Sequence, residues 1–289
     1  IILAGGSGSR LFPLTVAVNK HLLNVYDKPM IYYPLGTLIN LGIRNIRIVI
    51  NERDFNNFSD LLGDGSKFGI KISFSFQKKP NGISAALETC KSFLNKNENF
   101  TLILGDNIFY GGEISKNYLK KNNYFPNKNK KQIYTFCYNV NEPEKYGIAE
   151  IKNNKIKKII EKPKKTKSNL AVTGLYFMNS KAFDEIKKLK KSSRGEYEIT
   201  DLLKIYISKN KCKFYRFKRG FTWIDAGSTD DLFSASEFVK NIEKRQGLKI
   251  YSLEELALNK GLISRSEFLY QIKKMKNNPA YFNYLNRLL

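Results

Sequence analysis

Histidine is nearly absent from this sequence: His21 is the only one. That excludes a His-rich metal centre and leaves a Ser-His-Asp triad possible only with His21 as its base. Cysteine is scarce as well. Cys90, Cys137 and Cys212 are odd in number, far apart and never spaced as Cys-x-x-Cys. Neither a disulfide framework nor a zinc site is indicated, and a reducing, cytoplasmic setting is expected. No apolar run approaches the ~18 residues a membrane helix needs; the longest are short, as at Ile46 to Ile50. A soluble protein without a membrane partner is expected. The chain opens at Ile1 in an apolar pattern with no basic segment or cleavage site, so no signal peptide is expected, and the missing initiator methionine implies that a few residues precede it.

Acidic residues are under-represented too, with Asp+Glu 26 against Lys+Arg 50 and a formal net charge of +24. Such a balance invites nucleic-acid binding, because Lys and Arg neutralise phosphates. The kind of base argues otherwise. Only ten of the fifty are Arg, whereas DNA readers favour Arg for bidentate contacts, and no helix-turn-helix, finger or RNP-type pattern is present. Segments such as Lys120-Lys121-Asn122-Asn123 and Asn127 to Lys131 fit a solvated Lys- and Asn-rich surface that steers anionic substrates and takes no nucleic acid. A basic nucleic-acid-binding protein is the alternative from another class.

What is present suits a packed enzyme. At 289 residues, 42% hydrophobic and 13% aromatic, the chain can bury ~75% of its unfolded surface in one domain or a large and a small one. Apolar runs at Ile1 to Ala4, Ile46 to Ile50, Ile70 to Phe76 and Phe100 to Leu104 alternate with helical spacing over Met30 to Leu41, C-capped by Gly42, and over Ser84 to Leu94. That alternation predicts a mostly parallel α/β sheet. From Ile133 the texture turns to strands at Tyr134 to Val140, Gly147 to Ile151, Ile156 to Ile160 and Ala171 to Met178. Helices are predicted over Ser180 to Lys191, Glu198 to Lys209, Asp230 to Arg245, Leu253 to Asn259, Ser264 to Lys276 and Pro279 to Leu288. The expected organisation is a core over 1–227 with a β-rich insertion at about 133–178, then a helical region over 228–289.

Directly after the first strand comes Leu3-Ala4-Gly5-Gly6-Ser7-Gly8-Ser9-Arg10. Glycines let backbone N–H groups wrap a phosphate chain, Ser7 and Ser9 add hydroxyls, and Arg10 adds a charged fork. It is neither a P-loop nor a GxGxxG dinucleotide loop, and on the glycines alone a tight strand-to-helix turn is the competing reading.

Farther along stand Asn19-Lys20-His21-Leu22-Leu23, Tyr26-Asp27-Lys28-Pro29-Met30-Ile31-Tyr32-Tyr33-Pro34, Leu104-Gly105-Asp106-Asn107, Glu161-Lys162-Pro163, Arg194-Gly195-Glu196-Tyr197-Glu198-Ile199-Thr200-Asp201 and Trp223-Ile224-Asp225-Ala226-Gly227. In this order, and over nearly the whole chain, the blocks resemble the sugar-phosphate nucleotidylyltransferases, and among them the glucose-1-phosphate thymidylyltransferase family. The resemblance implies a Rossmann-like, mostly parallel mixed sheet with helices on both faces, a small sugar-binding β insertion and a helical C-terminus. It implies transfer between dTTP and glucose 1-phosphate with Mg²⁺, in a homotetramer or homodimer open to feedback by a dTDP-sugar, as a first step towards dTDP-deoxysugars.

By the same resemblance, Leu3, Gly5, Gly6, Ser7, Gly8, Ser9, Arg10, Lys20, His21, Gln77, Gly82 and Asp106 hold the nucleotide. Asn107, Tyr146, Gly147, Glu161, Lys162, Val172 and Trp223 hold the sugar phosphate, and Asp106 and Asp225 hold the metal. Arg10, Lys20 and Lys162 are the catalytic cations, and Arg10 and Lys20 are each expected to contribute ~10²–10³ in rate. Gln77 and the Gly82 backbone read the base, a readout that thymine and uracil share, so a uridylyltransferase is the enzyme alternative. Two positions depart from the family pattern: His21 and Ala85 stand where Gln is usual. His21, with an ordinary pKa near 6.5, is expected to make nucleotide binding pH-dependent.

Overall fold

A computed structural model describes residues 1–78, 81–121, 131–275, 277 and 279–289. Lys79 and Pro80 of the Gln77 to Gly82 segment, 122–130 of the Lys-Asn stretch, and Lys276 at the end of the helix expected over Ser264 to Lys276 lie outside the described residues. The strands are β1 (Ile2–Leu3), β2 (Asn24–Val25), β3 (Lys28–Pro29), β4 (Asn45–Ile50), β5 (Lys71–Phe76), β6 (Asn99–Leu104), β7 (Asn107–Tyr110), β8 (Ile133–Asn139), β9 (Gly147–Lys152), β10 (Lys155–Glu161), β11 (Leu170–Asn179), β12 (Cys212–Arg216) and β13 (Thr222–Asp225). The helices are α1 (Tyr32–Asn40), α2 (Phe55–Leu62), α3 (Ile83–Glu88), α4 (Lys116–Lys121), α5 (Ala182–Ile186), α6 (Ile199–Ser208), α7 (Thr229–Gln246), α8 (Leu253–Asn259), α9 (Arg265–Lys273) and α10 (Pro279–Asn286).

The main sheet runs β10-β9-β11-β6-β1-β4-β5, with β8 on β11 and β12 on β8. Strands β6, β1, β4 and β5 are mutually parallel, as the alternation of apolar runs and helices predicts. The β-rich segment joins them through β11, antiparallel to β6 and to β8, so it continues the same sheet. β11 is buried at all ten positions and changes neighbours along its length. Ala171 pairs with β9, whereas Leu175 to Asn179 pair with β6. On the β8 side the register jumps from Val172 to Tyr176. The ladder therefore opens around Thr173 and Gly174.

Period-2 alternation sorts the sheet's two faces. Ile46, Ile48 and Ile50 enter one core with Phe58 and Leu62 of α2, Leu253 of α8 and Phe268 of α9. Val49, Phe100 and Leu102 enter the other with Leu87, Phe183 and Leu203. Each such side chain removed from water stabilises by ~1.5–3 kcal/mol, and both faces are covered by helices. The C-terminal helices belong to the same packing: α8 to α10 share the first core, while Ala235 and Val239 of α7 pack with Tyr33 and Ile108. Ser228, Ser252 and Ser264 each cap a helix through the N–H three residues on. No described helix is long and apolar enough to cross a membrane.

Several expected boundaries shift for local reasons. The helix expected over Ser84 to Leu94 stops at Glu88, and a 3₁₀ turn at Lys91–Phe93 follows. The one expected over Ser180 to Lys191 contracts to α5, because Lys187, Lys188, Lys190 and Lys191 offer no apolar face. Helix α2 is built from Phe-Asn-Asn-Phe-Ser-Asp-Leu-Leu, where Phe58 and Leu62 alone are buried at i and i+4. Strand β12, Cys-Lys-Phe-Tyr-Arg, buries only Tyr215 and leaves Lys213 and Arg216 exposed.

Candidate active site

The chain leaves β1 at Leu3 and turns beside β4, with the Ala4 N–H donating to Val49 O at 2.7 Å. Glycine is required at two points of this turn. A Cβ on Gly5 would lie 2.7 Å from Gln77 Oε1, and Gly8 sits at φ +64 with Thr15 Cγ2 2.9 Å from where its Cβ would be. Arg10 rides exposed on the next 3₁₀ turn. Its guanidinium covers Gly227 so closely that a Cβ there would lie 2.5 Å from Nη2.

Lys20 reaches across to the turn between β6 and β7, where its Nζ lies 2.5 Å from Asp106 Oδ2. Burial alone would push that carboxyl up. The Lys20 ammonium and the hydrogen bond from Asn107 instead hold it well below the usual carboxylate range. Asp225 arrives on β13 opposite Asn107, and the Ala226 N–H donates to Asp106 O at 2.9 Å. The Asp225 carboxyl is pushed up to about 7, first by burial and then by the charge of Asp106. With Lys20 bonded to Asp106, Asp225 is the under-compensated member of the pair, and the hard oxygens of the two suit a Mg²⁺-type ion that completes its shell with water and phosphate. No group of three or more His, Cys, Asp or Glu suited to a metal occurs among the described residues.

Asn107 is the joint of the site. Its Oδ1 accepts from Trp223 Nε1 at 2.7 Å and from the Gly174 N–H at 3.0 Å, while Nδ2 donates to Asp106 Oδ1 at 3.0 Å. The Gly174 donor comes from the opening in the β11 ladder. The Asn107 amide, expected on sugar hydroxyls, is thus mostly spent on holding Trp223 and Asp106 in place. Trp223 stands beside Tyr146, ring centroids 5.1 Å apart. At Lys162 the backbone enters the left-handed region, φ 42, and its N–H donates to Tyr146 O at 3.0 Å. For a lysine this conformation is strained, and it aims the side chain into the cleft.

These side chains line two adjoining cavities of about 440 Å³ and 180 Å³. Every residue expected on the nucleotide, from Leu3 to Asp106, lines the larger; every one expected on the sugar phosphate, with Asp225, lines the smaller. Arg10, Asp106 and Lys162 line both and form the seam. Arg194 and Glu196 lie on this seam as well, and Glu198 and Thr200 line the smaller cavity. No role had been assigned to them. Arg194 bonds Glu161 at 3.3 Å, Glu196 at 3.4 Å and Glu198 at 3.4 Å. Burial and the nearby Glu198 push the Glu161 carboxyl up, with Arg194 opposing. A turn groups these charges: Gly195 sits at φ 77, and the Ser192 N–H donates to Glu196 O at 2.9 Å.

The two departures from the family pattern have different fates. Ala85 is half-buried and lines neither cavity. His21 lines the larger one, but burial and then the Lys20 ammonium push its pKa down to about 3. The imidazole stays neutral across the range in which the sequence suggested a titration, and that expectation is corrected.

A family model described as "Nucleotidyl transferase" matches residues 1–242. The glucose-1-phosphate thymidylyltransferases of Neisseria meningitidis and Mycolicibacterium smegmatis are 43% and 42% identical over 100% of this chain and 98% of their own lengths. A Bacillus anthracis structure described as a glucose-1-phosphate thymidylyltransferase, in complex with sucrose, superposes with a TM-score of 0.74 at 38% identity, over 82% of this chain and 93% of that one. A UDP-glucose pyrophosphorylase complexed with UDP-glucose gives 0.69 at 25% identity, over 83% and 97%. The chain belongs to the nucleotidyl transferase family, among its glucose-1-phosphate thymidylyltransferases.

Proposed function

We propose that this protein joins dTTP and α-D-glucose 1-phosphate to give dTDP-glucose and pyrophosphate. A phosphate oxygen of the sugar phosphate attacks the α-phosphorus in line, the new P–O bond forms, and the bond to the β-phosphate oxygen breaks. The observation that carries this reading is the seam: two cavities meet on Arg10, Lys162 and Asp106, where two anions must be brought together against their repulsion. The glycine turn and Lys20 cradle the triphosphate. Lys162, joined by Arg194, draws the sugar phosphate to the seam, and Glu161, Tyr146 and Trp223 wall the sugar. Asp106 and Asp225 would hold Mg²⁺, which when bound supplies positive charge at the reacting phosphates.

Gln77, 8% exposed, and the Gly82 backbone are proposed to read the base. Because uracil offers the same edge, the 5-methyl group is worth only ~1 kcal/mol of discrimination. The fold match to a UDP-glucose pyrophosphorylase favours UTP as the second reading. A homotetramer or homodimer in the cytoplasm, with 228–289 contributing contacts and a dTDP-sugar as feedback ligand, goes with the proposal, as does a place at the start of dTDP-deoxysugar synthesis. A matrix of dTTP and UTP against glucose 1-phosphate and amino-sugar 1-phosphates, with and without Mg²⁺ and read as pyrophosphate release, tests it. Release is expected only with both substrates and the metal. A dTTP preference over UTP above a thousandfold would overturn the account of base readout. Salt-sensitive retention on duplex DNA without turnover would overturn the enzyme reading.

A further inference from the structure

Asn19 sits behind the glycine turn with its amide fully used. Nδ2 donates to Ala4 O at 3.1 Å and to Asp54 Oδ2 at 2.7 Å, while Oδ1 lies 3.0 Å from the His21 N–H and 2.8 Å from His21 Nδ1. The amide cannot be turned round, because the Ala4 carbonyl and the Asp54 carboxylate only accept, and the His21 backbone N–H only donates. Asp54, 5% exposed, is itself tied by Asn51 Nδ2 at 3.1 Å. Since Oδ1 can only accept, Nδ1 of His21 carries the ring proton. On a neutral ring, 1% exposed and beside Lys20, Nε2 is then bare. The Ala4 carbonyl also lies within hydrogen-bonding reach of the ring. The Nε2 edge packs on Gly105, where a Cβ would lie 2.8 Å from Nε2, and the ring lines the larger cavity.

We propose that Asp54 and Asn19 are positioning residues that fix His21 in the Nδ1–H tautomer, so that Nε2 accepts a hydrogen bond from the sugar hydroxyl of the bound nucleotide. The partner follows by elimination and rests on the nucleotide reading of this cavity. Its phosphates offer acceptors only, and thymidine has two donors, the base N3–H and the 3′-hydroxyl. Gln77 takes the first. His21, adjacent in the chain to the phosphate-side Lys20 and packed on the residue before Asp106, faces the stretch between base and phosphates.

The single histidine makes the test direct. In ¹⁵N-labelled, ligand-free protein at pH 7, long-range ¹H–¹⁵N correlation is expected to show a protonated Nδ1 and a bare Nε2. In Asn19→Ala the signal moves towards the Nε2–H form usual in water, a change that general loosening of the fold does not produce. Binding of dTTP is expected to be about fivefold tighter than that of its 3′-deoxy analogue. The preference vanishes in His21→Leu and returns in His21→Gln, whose amide oxygen can accept the same bond. An Nε2–H or doubly protonated ring in the wild type overturns the proposal, as does equal binding of the two nucleotides. If the Nδ1–H form is found and dTTP fails to bind at all, the nucleotide reading of the cavity fails instead, and the partner assigned to Nε2 falls with it.

Discussion

The two cavities are built differently. The larger is built around one short stretch of chain, the glycine turn from Gly5 to Arg10, closed by Lys20, His21, Gln77 and Gly82. The smaller draws its walls from β7, β9, β10, β11, β13 and the 194–200 segment, short runs far apart in the sequence. A turn that presents backbone N–H groups tolerates little change of conformation but needs few particular side chains. A pocket of converging side chains needs each of them and the struts behind them. Damage to the first should therefore act through backbone shape, and damage to the second through single contacts.

The sharpest way to break this division is at the seam. Lys162→Ala should lower kcat/KM for both substrates by ~10²–10³, since the ammonium faces both cavities. Steady-state kinetics that show only a higher KM for glucose 1-phosphate would assign Lys162 to the smaller cavity alone. Next in size is Gly174→Ala. Its Cβ would lie 2.5 Å from Asn107 Oδ1 and 2.7 Å from Leu104 Cγ, an overpacking of ~1–3 kcal/mol in urea denaturation. Gly112→Ala, with nothing within 4 Å, should leave the midpoint in place. The third comparison uses pH. With His21 at about 3 in the fold against 6.5 ordinarily, the unfolded chain takes up a proton between those values that the native state refuses. The wild type therefore loses stability as pH falls below 6.5. Relative to His21→Gln the loss reaches about 2 kcal/mol by pH 5, read from denaturation midpoints. The pH dependence of nucleotide affinity between pH 5.5 and 8 should be the same in the wild type and in His21→Gln. The smallest effect is expected from Trp223→Phe, which keeps a flat wall but loses the 2.7 Å bond to Asn107. The KM for glucose 1-phosphate should rise about fivefold with that for dTTP unchanged, and equal rises in both would erase the division.

Legibility in the sequence follows the same line. The parallel core was readable because its strands are short runs rich in Ile, Leu, Val and Phe, and the glycine turn because its glycines stand together. The smaller cavity was reached through family resemblance, since nothing local ties Tyr146 to Trp223 or Val172 to Asn107. Arg194, Glu196 and Glu198 stood inside a recognised block, yet their meeting with Glu161 depends on strand packing. The neutral state of His21 was also out of reach. It depends first on burial, which the tertiary fold decides, and then on the Lys20 ammonium. Helix α2 and strand β12 escaped because one side of each is polar enough to resemble a loop.

The opening in β11 has one more consequence. Sheet edges are normally hazardous because their unpaired N–H and C=O groups recruit other chains. Here the chain makes a short edge inside the sheet, at Thr173 and Gly174, where neighbouring protein shields it on every side except the cavity. The Gly174 N–H left out of the ladder is taken by Asn107 Oδ1, so a side chain that also holds Trp223 and Asp106 stands in for the missing strand. The geometry of the smaller cavity then rests on a gap in the weave, and moving where β11 changes partners would retune it without altering a side chain.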